Sequence, residues 1–402
     1  MSQPTFGDEL RRLRQQRGLS LKKFAQLVHY DPGYLSKIEN GLKPPTDTVA
    51  AKCDAAFDVD GVLSALVRAP AASAASRLSR STNTRMDVVD MRVIDLSDDV
   101  PVGADYVESL HGTIKNLAAL DGLHGGADIA PLALRSFRRA QCILGEGRYE
   151  PALERDLEAV AAEIGELSGW LLFDAERHRE ARQINAEALS LARIAGDASM
   201  EWFVLSNQAL ASVHAGRNRE ALRIAQRMTS GHDLPRRVGA LFDVRSARAL
   251  AALGDSTSAL RAFDRARSAF ADGTTTRDPA WSWWFDEREL AGHEGMIHAA
   301  LGDHSRALPQ LATAVERSEG QERFRWALYI HRANLLRALL RVGSWAEAER
   351  VAIDVAPMVG MIASARTEGL LLRTVAHPEA RPQMPSTLSD TLDYIGNQLA
   401  ES

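Results

Sequence analysis

The sequence predicts an all-α protein, with a five-helix head followed by a long tail of stacked helix pairs, an α-solenoid. Two observations carry that expectation. Five short stretches of helical apolar spacing, each closed by Gly, Pro or Ser punctuation, fall within the first seventy residues. From about residue 132 onward the 3.6-residue period hardly breaks, and short turn phrases recur along it.

In the head, "FGDELRRLRQQRG" aligns Phe6, Leu10 and Leu13 on one stripe and stops at Gly18, a residue suited to a helix C-terminus. Ser20 is placed to cap "LKKFAQLV", whose Leu21, Phe24, Ala25 and Val28 form the next apolar face. Asp31 is an N-cap candidate, and Pro32 suits the first position of a third helix because its missing N–H would be unpaired there. Tyr34, Leu35 and Ile38 supply that helix's packing face before Gly41. "DTVAAKCDAAF" after Thr46 and "GVLSALV" complete the set. Five helices with a four-residue turn between the second and third make a compact DNA-binding layout.

Charge agrees with that reading. Of 402 residues, 25% are charged and 45% apolar, an ordinary soluble balance, and the chain carries a net charge of -5. Residues 1–45 hold eight Lys/Arg against four acids, a local +4 that leaves -9 for the rest. A basic head on an acidic body points to the head alone meeting a polyanion. Cys53 and Cys142 are far apart in apolar-periodic segments and are expected as buried thiols. No apolar run approaches the ~18 residues of a membrane span, and the N-terminus lacks a signal-peptide core, so a cytoplasmic location is expected.

"RGLSLKKFAQLV", "YLSKIENG" and "KPPTDTVAAKCDAAF" together resemble the Cro/repressor-like (XRE) helix-turn-helix family across residues 6–67. In that family an arginine late in helix one pairs with a glutamate of the recognition helix, and Arg14 and Glu39 occupy those places. Two departures stand out. Leu21 replaces the glutamine that often begins helix two, and Pro32 and Gly33 replace the usual polar readers. Base reading then falls on Lys37 and Ser36, with Tyr34 touching a phosphate or a thymine methyl. Phosphate contacts are assigned to Lys22, Lys23, Asn40 and Lys43. So thin a reader leans on phosphate and DNA shape, and two half-sites bound by a homodimer would restore selectivity. A head that binds only protein is the competing reading.

Residues 68–85, "RAPAASAASRLSRSTNTR", are Ala/Ser-rich with four arginines and read as a flexible linker. "MDVVDMRVIDL" beyond it fits a strand or a helix. The domains are therefore drawn as a head over 1–67, a linker over 68–105 and a repeat domain over 106–402.

In the tail, "EGRYEPAL", "ERHREAR", "AGRNREAL", "LGDSTSAL", "LGDHSRAL" and "VGSWAEAE" carry anchors at Ala152, Ala181, Ala221, Ala259, Ala307 and Ala348. Twelve residues earlier stand Ala140, Gly169, Ala209, Ala247, Gly295 and Leu336, five of them Gly or Ala, as close antiparallel helix contact requires. The pattern resembles the tetratricopeptide repeat (TPR), with six units across residues 132–360. The anchor spacings of 29, 40, 38, 48 and 41 mostly exceed the standard period of about 34. "SDTLDYIGNQL" reads as a closing helix.

Under TPR register, Asn207 and Asn334 sit where such proteins use an amide to bond a peptide backbone. The same face carries Arg245, Arg248, His293, Arg337 and Arg341, with His214 nearby, and favours an anionic group. The bland alternative is that these side chains are solvated or paired among themselves. The run "WSWWF" (Trp281, Trp283, Trp284, Phe285) divides between core packing and a pocket or dimer contact. "HGGAD", residues 124–128, reads as a plain loop.

No phosphate-cradling glycine loop, metal-spaced His/Cys set or Ser-His-Asp context is present, so neither enzyme activity nor a cofactor or metal is expected. A helix-turn-helix head on a TPR tail is similar to the Rgg/PlcR/PrgX peptide-sensing regulators and to actinobacterial helix-turn-helix/TPR regulators. The resemblance implies a homodimeric regulator of transcription, switched by a peptide or small anionic ligand in the repeat groove. The alternative is a repeat domain that serves as a protein-interaction scaffold.

Overall fold

A computed structural model of the chain describes residues 6–17, 19–28, 30, 35, 38–39, 45, 47–57, 59, 61–68, 101–376 and 384–401. Among these residues all regular structure is helical, apart from one isolated bridge between Val102 and Tyr149. Among the described residues no helix is long and apolar enough to cross a membrane. The chain divides into two compact units, Met1–Met91 and Arg92–Ser402.

The first unit holds α1 (Phe6–Gln16), α2 (Leu21–Val28), α3 (Asp47–Phe57) and α4 (Val62–Arg68), with Leu35, Ile38 and Glu39 also helical. As expected, the Ser20 hydroxyl caps α2 by accepting the Lys23 N–H at 3.3 Å. The apolar stripes meet in one core of Phe6, Leu10, Leu13, Phe24, Ala25, Val28, Leu35, Ile38, Val49, Cys53, Phe57 and Leu63. Phe24 and Phe57 stack there with ring centroids 4.5 Å apart. Gly7 permits close approach of α1 to the third helical segment: a Cβ there would lie 2.6 Å from the Glu39 carbonyl oxygen. Buried Asp54 in α3 accepts the N–H groups of Leu63 and Ser64, capping α4 from across the core.

Among its described residues the second unit contains fourteen α-helices. They are α5 (Ala104–His124), α6 (Ala130–Glu146), α7 (Glu154–Asp174), α8 (His178–Ile194), α9 (Ala198–His214), α10 (Asn218–Gly231) and α11 (Arg236–Ala252). Then follow α12 (Ser256–Ala271), α13 (Glu287–Ala300), α14 (His304–Ser318), α15 (Arg325–Val342), α16 (Trp345–Val355), α17 (Ala365–Val375) and α18 (Ser386–Glu401). Many of the turns within this array follow one local rule. Glycine in the left-handed region ends a helix, and the next residue begins the following one, with Asp197, Asp255 and Asp303 as side-chain N-caps.

Every odd-numbered helix from α5 to α17 packs on the next odd-numbered one, forming the inner wall of a solenoid-like array. That wall returns on itself: α15 meets α5, and α17 meets α7. Five anchor alanines (181, 221, 259, 307 and 348) are buried at the helix-pair contacts. At Gly169 a Cβ would fall 2.0 Å from the Asn185 side-chain oxygen, so the small-residue rule holds there for steric reasons.

Three sequence expectations change. Ala152 is exposed in a 3-10 turn before α7, because its unit is out of register and Ala140 belongs to α6. Helix pairs therefore begin at α5 and continue to α18, outside the span of the recurring phrase. Cys142 is exposed, since it lies on the outer face of α6, whereas Cys53 is buried.

Candidate functional site

In the head, Lys22 and Lys23 stand exposed on the first turn of α2, which Phe24, Ala25 and Val28 fix to the core. Tyr34, Ser36, Lys37, Asn40 and Lys43 lie outside the described residues. The segment that would carry them is tied to α1 through Glu39. Arg14 grips that carboxylate with Nε at 2.6 Å and Nη2 at 3.0 Å, and its Nη1 donates to the Leu19 carbonyl at 2.9 Å. The hydrogen bonds to Glu39 raise the Arg14 pKa above its ordinary value. Arg11 adds a donor to the Glu39 main-chain oxygen at 3.1 Å. The fork fixes the third segment's angle, as bidentate guanidinium pairing does.

The body places its charged residues inside. Arg245, 1% exposed, donates Nε to the carbonyl and hydroxyl oxygens of Ser206, both at 3.2 Å. Its Nη1 meets Nε2 of His293 at 3.1 Å, while Nη1 of Arg248 meets Nδ1 of the same ring at 3.1 Å. A neutral imidazole offers one acceptor nitrogen, so it can satisfy one guanidinium and must present an N–H to the other. Burial, then the neighbouring Arg248, brings the Arg245 pKa down to about 9, against the pull of Glu289. Burial and Arg366 bring Arg248 to about 10. His293 is driven well below its ordinary value by burial and by both guanidiniums.

The carboxylates nearby are spoken for. Burial pushes the Glu289 carboxyl up, but Arg288 at 2.9 Å, His331 and His293 outweigh it and hold it far below the usual range. Glu166 accepts from the Asn207 amide at 2.5 Å. Burial, with Glu163 and Asp121 adding, still raises the Glu166 carboxyl to about 8. Asn207, Arg245, Arg248 and His293 thus belong to the polar interior. Asn334 donates instead to the Ile330 carbonyl of its own helix, and Arg337 and Arg341 are exposed. His214 bonds to Glu176 at 2.7 Å.

The sequence reading missed the residues that close the wall. Fully buried Asp174 accepts from Trp326 Nε1 at 2.9 Å, from the Ser364 hydroxyl at 3.0 Å and from Arg366 Nε at 3.1 Å. The Arg366 guanidinium lies 5.0–5.6 Å from the ring centroids of Trp170, Phe173 and Trp326. The "HGGAD" loop joins this closure: the Ala127 N–H donates to the Ala363 carbonyl, and the Ala363 N–H to that of His124. No local pattern announces contacts between residues 152–192 positions apart. "WSWWF" forms a 3-10 turn, with Trp281 stacked on Phe203 at 4.4 Å, Phe285 buried, and Trp283 62% exposed.

Comparison with known proteins speaks to the head. Residues 5–67 match the helix-turn-helix domain family. The HTH-type transcriptional regulator RamB of Mycobacterium tuberculosis strain CDC 1551 / Oshkosh is 29% identical over 105 residues, which cover 26% of this chain and 19% of the relative. RamB of strain ATCC 25618 / H37Rv matches to the same extent. The chain thus spans about a fifth of the length of these curated relatives. The capped α2, the Arg14–Glu39 fork and the family match agree: the first unit carries a helix-turn-helix domain.

Proposed function

We propose that the protein is a DNA-binding regulator of transcription, acting as a homodimer and switched by a small anionic ligand in the interior of its helical body. The head supports the first part, through its family match, its local charge of +4 and the exposed Lys22 and Lys23. RamB, to which the chain is 29% identical over 105 residues, carries the name of a transcriptional regulator.

The observation that carries the ligand is the Arg245–His293–Arg248 cluster. Buried Arg245 and half-buried Arg248 share one imidazole with a single acceptor, Arg248 Nη1 also reaching Met296 Sδ at 3.1 Å, and the Glu289 carboxylate is held by Arg288. A carboxylate or phosphate would be a stronger acceptor than an imidazole nitrogen or a thioether and would gain a charge-assisted bond to each arginine. Asn207 and Asn334 spend their amides inside the chain, which favours a compact anion over an extended peptide. The inner wall's closure through Asp174 likewise favours a small ligand over a folded partner. Ligand binding would act on DNA affinity by shifting the body between two arrangements.

The test joins two titrations on the full chain. Isothermal titration with small carboxylates and phosphates should show binding that Arg248→Met abolishes. Operator fragments selected from genomic DNA should bind with altered affinity when the anion saturates. Unchanged operator affinity at saturation would sink the switch, and binding unaffected by Arg248→Met would sink the site.

A further inference from the structure

Glu176 breaks the rule by which the body makes its turns. At Gly196, Gly216, Gly254, Gly302 and Gly343 the left-handed position, φ 69–81°, is filled by glycine. In the α7–α8 turn the same place holds Glu176 at φ 58°, the only described non-glycine residue with positive φ. The alignment is close, since Glu176-Arg177 matches Gly216-Arg217 at the α9–α10 turn. A side chain in that region is strained where glycine is not, because its Cβ crowds the following carbonyl oxygen.

The side chain so placed meets two imidazoles. His178, at the start of α8, brings Nε2 to 3.2 Å from one carboxylate oxygen, and His214, at the end of α9, brings Nε2 to 2.7 Å from the other. Among the described residues this is the one group of His, Cys, Asp or Glu side chains with ligand atoms all within 4.8 Å of one another. Phe173 packs against both rings, with centroids 6.1 and 5.4 Å away. Arg366, whose charge acts on His214, is tied to Asp174.

We propose that Glu176, His178 and His214 form a binding site for a divalent transition-metal ion of zinc's class, with its remaining position open to water or an anion. Two imidazoles and one carboxylate suit such an ion, whereas magnesium and calcium prefer all-oxygen sets. Ligand atoms on a tetrahedral zinc lie about 3.3 Å apart, so the present 2.7 and 3.2 Å separations need open by only a few tenths of an ångström. The spacing, with Glu176 and His178 two residues apart and His214 thirty-six further on, matches no sequence motif for a metal. Only the packing of α9 beside α7 and α8 assembles it.

The site is independent of the anion site proposed above. The experiment uses the full chain, stripped with chelator and titrated with zinc chloride by calorimetry, with cobalt(II) absorption reporting imidazole ligation. One ion per chain is expected. His214→Ala should weaken binding by roughly a hundredfold or more. Glu176→Gly is the sharper variant, since it installs the residue used at the five other turns: it should melt no lower than wild type yet lose the metal. Absence of zinc uptake by wild type at micromolar concentration, or uptake that survives the His178→Ala/His214→Ala double change, would reduce the group to a hydrogen-bonded His–Glu–His cluster and overturn the proposal.

Discussion

Asp174 joins parts of the body that the sequence keeps far apart, and its removal has a calculable cost. Asp174→Ala leaves the Arg366 guanidinium, whose side chain is 12% exposed, without its carboxylate. Breaking one side of a buried ion pair costs about 3–5 kcal/mol. The Trp326 indole N–H also loses its acceptor, a loss of about 1–3 kcal/mol when the group stays dry. Ser364 retains Thr367 as a partner at 2.8 Å and adds little. Neighbouring losses overlap, so about 4 kcal/mol is a fair sum. An array of repeats opens locally before it unfolds globally, so the change should appear as faster hydrogen exchange in α15 and α17. At 1.4 kcal/mol per tenfold, the acceleration is roughly a thousandfold, while α11 and α12 stay protected. Asp174→Asn, which keeps the shape and an acceptor but not the charge, should fall between. Protection in α15 and α17 within about tenfold of wild type would refute the idea that Asp174 holds the wall closed.

Other outcomes follow from the same geometry. Arg14→Met should cost the head about 3 kcal/mol, at the lower end for a buried pair because Arg11 lies 3.8 Å from the same Glu39 carboxylate. Hydrogen exchange in α1 would register it, and Arg14→Met/Glu39→Leu should recover most of the loss. Glu166 gives a pH signature. Its carboxyl releases a proton near 4.5 when unfolded but only near 8 when folded, so the native state binds the extra proton between those values and stability falls as pH rises. Glu166→Gln should remove up to roughly 1.4 kcal/mol of that fall per pH unit, measured by urea unfolding across the window. On DNA, Lys22→Ala and Lys23→Ala should each lower the log–log salt slope by about 0.9 where the lysine meets a phosphate, and Lys43→Ala should do likewise. Lys37→Ala should instead blur discrimination between sites, read by genome-wide footprinting.

Local chemistry made the head legible. Ser20, Phe24, Val28, Leu35 and Ile38 announce cap and core at helical spacing, and Arg14 and Glu39 meet as the family resemblance implied. In the body, the anchor alanines from Ala181 onward lie where antiparallel helices touch, because close contact demands small side chains at fixed register. The first anchor failed because "EGRYEPAL" imitates the turn phrase while Ala152 sits in a 3-10 turn. Register also placed Arg245, Arg248 and His293 on one face, though not that they share a single buried imidazole.

The sequence by itself determined the helices, their caps, their pairing distance and the basic head, since each depends on residues within a few turns of one another. Only the tertiary structure decided that the inner wall bends back until α17 reaches α7, joining Asp174 to Trp326 and Arg366. It likewise decided that His214 meets Glu176 and His178. Curvature accumulates from small rotations between successive helix pairs, and no single stretch of sequence encodes their sum.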